Sequence, residues 1–374
     1  MARIVTVYYR GHRPFKLVSM AYIRWLKISE ELARLGHQVD IATNEPRWLV
    51  RRAPLIMAPN LCRVPLTRVR WGDYDVVKTL FNSGFVTLEY YGGDGHPFII
   101  SKLGSVVGPE DMEGIYFYGE YRRWLYAVQE RIQRRSRFIT LLSEPARQLW
   151  ADCFGPSDRV LLVPGAADRE IPPPGRDPYP RDGKLRCVFA GTIYDQKSQP
   201  EANHTLVDKL NLLGRKLGAC GARLYMFGVG DVRRLDRRHV TYLGWMPYLR
   251  TWNYFYHAHV GVVVSAGPFM HNNESSKIYH YLRAGLPVVS ESGFPNDHVV
   301  RESRCGSVVE SGDMDALAEA VLSAARTNWD RAYAVRYILE NHTWAQRGAV
   351  YNRLLRREFP VDGTTNCTVP SPSH

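Results

Sequence analysis

The segment Ser275-Ser276-Lys277-Ile278-Tyr279-His280 places two hydroxyls and an ammonium group at the predicted start of a helix, just before the apolar run Leu286 to Val289. That composition suits a diphosphate. The first turn of a helix has unpaired N–H groups and a partial positive charge, so a capping Ser275 or Ser276 and Lys277 face an anion together. Helical spacing sets Lys277, His280, Tyr281 and Ala284 on one side and Ile278, Leu282 and Gly285 on another, so one face binds while the other packs. Taken in isolation, the same pattern also fits an ordinary helix-to-strand unit with a solvated lysine.

Positioning such a helix requires a sheet, and the chain supplies the rhythm for two. Ile4 to Tyr8 reads as a buried strand, and a helix from about Val18 to Leu35 carries Ala21, Trp25, Ile28, Leu32 and Leu35 as one apolar stripe. Gly36 stops that helix, and Val39 to Thr43 reads as the next strand; strand, helix, strand implies a parallel sheet with a right-handed crossover. The alternation continues to about residue 164. Val163 to Lys184 is then too rich in proline for a core element, and from Cys187 the alternation resumes. The expected fold class is α/β, with two doubly wound Rossmann-like domains facing across a cleft. Residues 1–164 form the first domain, 165–184 the linker, 185–340 the second domain, 341–360 a C-terminal helix and 361–374 a disordered tail.

Four segments in order resemble the GT-B nucleotide-sugar glycosyltransferases. They are Cys187-Val-Phe-Ala-Gly-Thr-Ile-Tyr-Asp-Gln-Lys197, the strand and Gly228-Val-Gly230 turn ending at Asp231, the stretch from Val240 through Trp245 and Met246 to Ser265, and Ser275 to Val289 with its Ala-Gly-Leu-Pro-Val-Val. The resemblance implies a donor site in the second domain, with Lys197 and Lys277 on the leaving phosphate. Thr192 stands where the family commonly has arginine. It further implies Gly228, Gly230, Trp245 and Met246 beside the nucleotide, and a last helix that crosses back to the first domain. Family 4 of these enzymes spaces two glutamates eight positions apart; here those positions hold Asn272 and His280, with Glu274 nearby as a substitute. A neutral imidazole accepts one hydrogen bond where a carboxylate accepts both from a ribose diol. The closer pattern, a non-acidic residue three positions after the lysine, is similar to the bacterial exopolysaccharide glucuronosyltransferases, so retention and inversion both stay open. Gly11, His12 and Arg13, after the first strand, fall where similar enzymes approach the sugar or acceptor. Asp111, among Glu110 and Glu113, is the candidate general base for an inverting reaction.

Composition narrows the remaining classes. Six cysteines without a CxxC pair indicate neither a zinc site nor a disulfide framework, and a reducing cytoplasm is expected. Ile4 to Tyr8 is too short for the core of a signal peptide, and no apolar run approaches the roughly 18–20 residues of a spanning helix. The net charge of +12 is divided evenly, +6 in residues 1–180 and +6 beyond, so it forms no basic tail. No zinc-finger spacing or RNA-binding pattern accompanies it, and nucleic acid is not an expected partner. Arg51 to Trp71, where arginines alternate with Leu55, Ile56, Met57 and Leu61, reads either as a solvated loop or as a contact with anionic lipid at the inner membrane face.

The expected activity is transfer of a sugar from a nucleotide diphosphate, UDP or GDP, to a glycan or lipid-linked glycan of the cell envelope or an exopolysaccharide. Fixed cations are expected to stabilise the leaving group without a metal or other cofactor. An epimerase or hydrolase of nucleotide sugars on the same scaffold and a non-catalytic nucleotide- or glycan-binding subunit are the alternatives.

Overall fold

The computed structural model describes residues 1–8, 20–44, 55–109, 119–197, 199–267 and 272–360. Gly11, His12, Arg13 and Asp111, and the expected tail beyond residue 360, lie outside the described residues.

The first sheet is built from β1 (Arg3–Val7), α1 (Met20–Arg34), β2 (Gln38–Thr43), β3 (Leu55–Ala58), β4 (Leu61–Pro65), β5 (Val76–Leu80), α2 (Phe81–Tyr90), β6 (Ile99–Lys102), α3 (Gly119–Arg135), β7 (Phe138–Leu141), α4 (Glu144–Phe154) and β8 (Val160–Leu162). Its eight strands run in the order β3-β4-β2-β1-β5-β6-β7-β8, parallel except for β3 against β4. The strands β1, β5 and β6 are buried almost throughout, as expected of parallel strands covered by helices on both faces, although Thr6, Lys78, Thr79, Ser101 and Lys102 are polar. The stretch from Arg51 to Trp71 requires a correction: its described part is not a loop but an edge hairpin, with β4 in parallel register on β2 and Leu61 fully buried. Proline at residue 65 ends the strand rather than preventing it.

The second sheet comprises β9 (Leu185–Ala190), α5 (Pro200–Ala219), β10 (Ala222–Phe227), β11 (Val240–Tyr242), α6 (Tyr248–His257), β12 (Val260–Val263), α7 (Ser276–Arg283), β13 (Val288–Glu291), α8 (His298–Glu302), β14 (Gly306–Val309) and α9 (Met314–Arg326); α10 (Arg331–Asn341) and α11 (Trp344–Glu358) follow. All six strands are parallel, in the order β11-β10-β9-β12-β13-β14. Chain direction across the sheet reverses between β9 and β12, the switch point where open α/β sheets leave a crevice beyond their carboxyl ends.

Helix α11 lies against α1 of the first domain. Gly348 permits this, since a Cβ there would sit 2.7 Å from Glu31 Cβ, and the Tyr351 and Thr140 hydroxyls meet at 2.9 Å. Leu26 and Ala33 of α1 are buried in the same cluster as Trp344 and Tyr351 of α11, and Ile23 is buried against the second domain. Of the predicted stripe Trp25, Ile28 and Leu32 are buried, while Ala21 is only partly so and Leu35 stays exposed. The linker runs beside the return crossing: Ala167 N–H donates to His342 O at 2.9 Å, and Trp344 N–H donates to Ala167 O at 3.2 Å.

Candidate functional site

A cavity of about 330 Å³ opens at the switch point of the second sheet. Gly191 and Thr192 after β9, Gly228 after β10, Trp245 and Met246 before α6, and Ser276, Lys277 and His280 on α7 all line it. The structure thus gathers Thr192, Gly228, Trp245, Met246, Ser276, Lys277 and His280 from the residues expected at a donor site.

Tyr281 explains how α7 registers on the sheet. Its hydroxyl accepts the Ala190 N–H at 2.8 Å and donates to Val188 O, fixing the end of β9 where the cavity begins. Glycine at 261 makes room, because a Cβ there would fall 2.3 Å from the Tyr281 ring. One turn earlier, the half-buried Lys277 ammonium lies 5.0 Å from the centre of the Phe189 ring and beside Gly191. Burial lowers its pKa to about 8, so it is still mostly protonated at neutral pH. Among the described residues no carboxylate forms an ion pair with it. A cation held on an aromatic face with no anion of its own is prepared for one from outside.

Several expected residues have other duties. Ser275 is buried and its hydroxyl does not cap α7; instead Asn296 brackets its backbone, accepting the Ser275 N–H at 2.9 Å and donating to its carbonyl at 3.0 Å. Glu274 is turned away from this cavity: its carboxylate accepts the Gly165 N–H at 2.5 Å and the Tyr279 hydroxyl at 2.8 Å. Lys197 is exposed in a turn capped by Asp195 and is not part of the cavity wall. Gly230 acts at a distance, since a Cβ on either glycine of Gly228-Val229-Gly230 would fall 1.8 Å from a carbonyl oxygen of the β9 loop. With φ of +148° and +127°, both are positions where L side chains are strained. Their first role is therefore to let two loops touch.

The glutamate positions of family 4 are both engaged. Asn272 Nδ2 donates to Val106 O of the first domain at 3.1 Å, and its own carbonyl accepts from Ser143 Oγ at 2.9 Å. His280 lies buried with its pKa pushed down to about 4 by desolvation, and so is neutral. Its Nδ1 faces the Ser276 carbonyl at 2.6 Å and must carry the proton, leaving Nε2 to accept from Tyr248 Oη at 3.0 Å. No ring nitrogen remains for a ribose, and His280 offers the cavity only its ring.

A second cavity of about 400 Å³ adjoins the first and shares Met20, Asn273 and Ser276 with it. Its far wall belongs to the first domain, beyond the carboxyl ends of β5 and β6, where Asn82, Ser83 and Ser105 lie. Asn273 Nδ2 donates to Ser105 Oγ at 3.1 Å and so ties the two walls together. Arg24, Tyr121 and Trp124 also line this cavity and were not anticipated. The sequence signal for the last two is an aromatic pair spaced by three at the head of an apolar stripe that continues through Leu125 and Val128; Arg24, inside an apolar stripe, gives none.

Two Asp-x-Asp stretches, Asp73-Tyr74-Asp75 and Asp313-Met314-Asp315, lie outside both cavities. Asp75 accepts the Arg3 N–H, Asp313 caps α9 and Asp315 pairs with Lys216. Among the described residues no group of three His, Cys, Asp or Glu side chains is placed to hold a metal ion, and no helix is long and apolar enough to cross a membrane.

Residues 184–327 match the family model described as glycosyl transferases group 1. None of the curated proteins matches the sequence. Among solved structures, sucrose-phosphate synthase from Thermosynechococcus elongatus superposes with a TM-score of 0.69 at 14% identity, over 96% of this chain and 99% of that one. Anabaena Alr3699/HepE in complex with UDP-glucose gives 0.68 at 12%, over 96% and 100%. AviGT4, a glycosyltransferase of avilamycin A biosynthesis, gives 0.64 at 16%, over 96% and 98%. At such identities the superpositions establish the fold, and the matched segment is the domain that carries the first cavity. Residues 184–327 thus match a glycosyl transferases group 1 domain, and the chain as a whole has the two-domain GT-B fold.

Proposed function

We propose that the first cavity binds a nucleotide-diphosphate sugar, UDP- or GDP-linked, and that the enzyme transfers its sugar to a glycan or lipid-linked glycan entering from the first domain. The observation that carries this reading is the unpaired Lys277 ammonium at the opening of α7, facing the switch-point cavity. As the acceptor hydroxyl oxygen bonds to the anomeric carbon, the bond from that carbon to the diphosphate oxygen breaks. The hydroxyl proton passes to a general base in an inverting reaction or to the leaving phosphate in a retaining one, and the leaving diphosphate gathers negative charge beside Lys277 and the first N–H groups of α7. Fixed donors in a half-closed site stabilise such charge without having to reorganise. Trp245, 59% exposed at the mouth, provides a face on which a base can stack, and Met246 is buried beside it. The complex of Anabaena Alr3699/HepE with UDP-glucose favours UDP as the first nucleotide to try. A cytoplasmic enzyme working on a cell-envelope or exopolysaccharide acceptor, at the inner membrane face when that acceptor is lipid-linked, fits the charge of +12.

Thermal-shift screening against UDP, GDP, ADP, CMP and dTDP tests the reading, because a ligand that binds only the folded state raises Tm. One nucleotide is expected to raise Tm clearly, and Lys277→Ala to abolish that shift while leaving the unliganded Tm nearly unchanged. Turnover of the matching sugar donor should persist in EDTA. No shift with any nucleotide, or an undiminished one in Lys277→Ala, overturns the assignment.

A further inference from the structure

The second cavity contains a buried guanidinium that is incompletely hydrogen-bonded among the described residues. Arg24 is 8% exposed, lines the cavity, and its Nε has no hydrogen-bond partner among the described residues. A guanidinium stays protonated, and burying one without a full set of acceptors is costly. Lys78 and Lys102 are buried behind it, where desolvation lowers the pKa of both, and Lys102 donates to Val163 O at 2.5 Å. Among the described residues Glu274, on the wall of the same cavity, is the carboxylate that faces Arg24, and its oxygens already accept from Gly165 and Tyr279. Arg24 therefore keeps donor capacity at the floor of the cavity that no described side chain fills.

Across the cavity, Tyr121 and Trp124 on α3 stack with ring centres 5.7 Å apart and planes 14° from parallel. They are 53% and 43% exposed, at i and i+3 on a helix face that continues one turn on into the buried Leu125 and Val128, which seat the pair on the first domain. Aromatic faces are electron-rich and attract the polarised C–H face of a saccharide ring. Polar groups of Asn82, Ser83 and Ser105 lie between platform and cation, suited to hydroxyls.

We propose that this cavity is an acceptor site selective for saccharides bearing an oxyanion, either a phosphate or a uronate carboxylate, with the sugar ring on Trp124 and Tyr121 and the oxyanion on Arg24. The proposal rests on the reading of the first cavity as the donor site. It places the acceptor hydroxyl near the Met20, Asn273 and Ser276 rim that the two cavities share.

Isothermal titration of the full-length protein saturated with UDP tests it. The probes are the 6-phosphates of glucose, mannose and galactose, the corresponding uronic acids, the neutral methyl glycosides and inorganic phosphate. At least one charged sugar is expected to bind about tenfold or more tightly than its neutral counterpart, the worth of one charge-assisted hydrogen bond. Whether phosphate or carboxylate wins identifies the source of the oxyanion. Trp124→Ala, on an exposed face, is expected to weaken that sugar about tenfold without affecting UDP. Arg24→Gln is expected to bring charged and neutral sugars to equal affinity. Lys277→Ala should lose UDP and keep the charged sugar. Equal binding of charged and neutral sugars by the wild type, no sugar binding while UDP still binds, or inorganic phosphate binding as tightly as the best sugar phosphate overturns the proposal and leaves the donor reading standing. Loss of UDP binding in the wild type would instead remove the donor reading.

Discussion

The Glu274 carboxylate accepts the Gly165 N–H at 2.5 Å, so the residue two positions before α7 is fastened to the start of the interdomain linker. Arg347 of α11 takes the other polar group of the same linker residue, donating from Nε to Gly165 O at 3.0 Å. One peptide position is thus held from the second domain and from the returning helix together. Glu274→Gln replaces one acceptor oxygen by an NH₂ group that faces the Gly165 N–H or the Tyr279 hydroxyl. The expected cost is about 1–3 kcal/mol, with faster hydrogen exchange at the Gly165 amide, measured by denaturant melts and amide-exchange mass spectrometry. Unchanged exchange at that amide would refute the link.

Lys277 sets a pH dependence of defined sign. Its pKa of about 8 lies below the ordinary 10.5, and a bound diphosphate raises it, so binding takes up a proton above pH 8. Affinity for the preferred nucleotide is expected to be full near pH 7.5 and to fall by up to about tenfold per pH unit above pH 8, as followed by titration calorimetry. In Lys277→Arg, which stays charged, the decline should vanish even where affinity is lower. A wild-type affinity that is flat to pH 9.5 contradicts the assigned role.

The glycine turn beyond β10 predicts a structural rather than a catalytic lesion. Gly230→Ala sets a Cβ against the Ile193 carbonyl at a φ of +127° and is expected to cost about 2–4 kcal/mol. Since Gly230 is outside the cavity wall, nucleotide affinity measured well below Tm should change little. A variant as stable as the parent would show that the two loops do not need this contact.

Lys78 is buried at the carboxyl half of β5 with its ammonium 4.9 Å from the centre of the Tyr351 ring, and desolvation lowers its pKa to about 7. Because the folded-state value lies below the unfolded one, the penalty is full below pH 7 and fades as pH rises toward 10.5. Lys78→Met is therefore expected to raise Tm by roughly 5 °C at pH 6, with the advantage shrinking by pH 9. Calorimetric scans at both pH values check it, and an advantage that grows with pH would invert the argument.

Much of this was legible in the chain because it depends on local chemistry. The helix at Ser276, the face formed by Lys277, His280 and Tyr281, and the glycines of the β10 turn declare themselves through spacing and conformational need. What stayed hidden depends on distant neighbours. Glu274 sits beside the predicted donor residues yet serves the linker, and Asn272 reaches across to Val106, because the partner of a loop side chain is decided by the opposite domain. Arg24 reads as one more residue of an amphipathic helix until the packing leaves its Nε without an acceptor. The edge hairpin at residues 55–65 was obscured by its arginines and prolines, residue types that edge strands tolerate.

The adjacent crossings at Ala167 and Thr343 have a mechanical result. A pair of lobes joined by one tether can twist, tilt and slide; joined by two that travel together, they keep a single axis about which to open. Rotation about that axis would carry the rim of Asn273 and Ser276, riding on one lobe, toward or away from Ser105 on the other. The distance between the two walls at the rim shared by the cavities is then set by one angle.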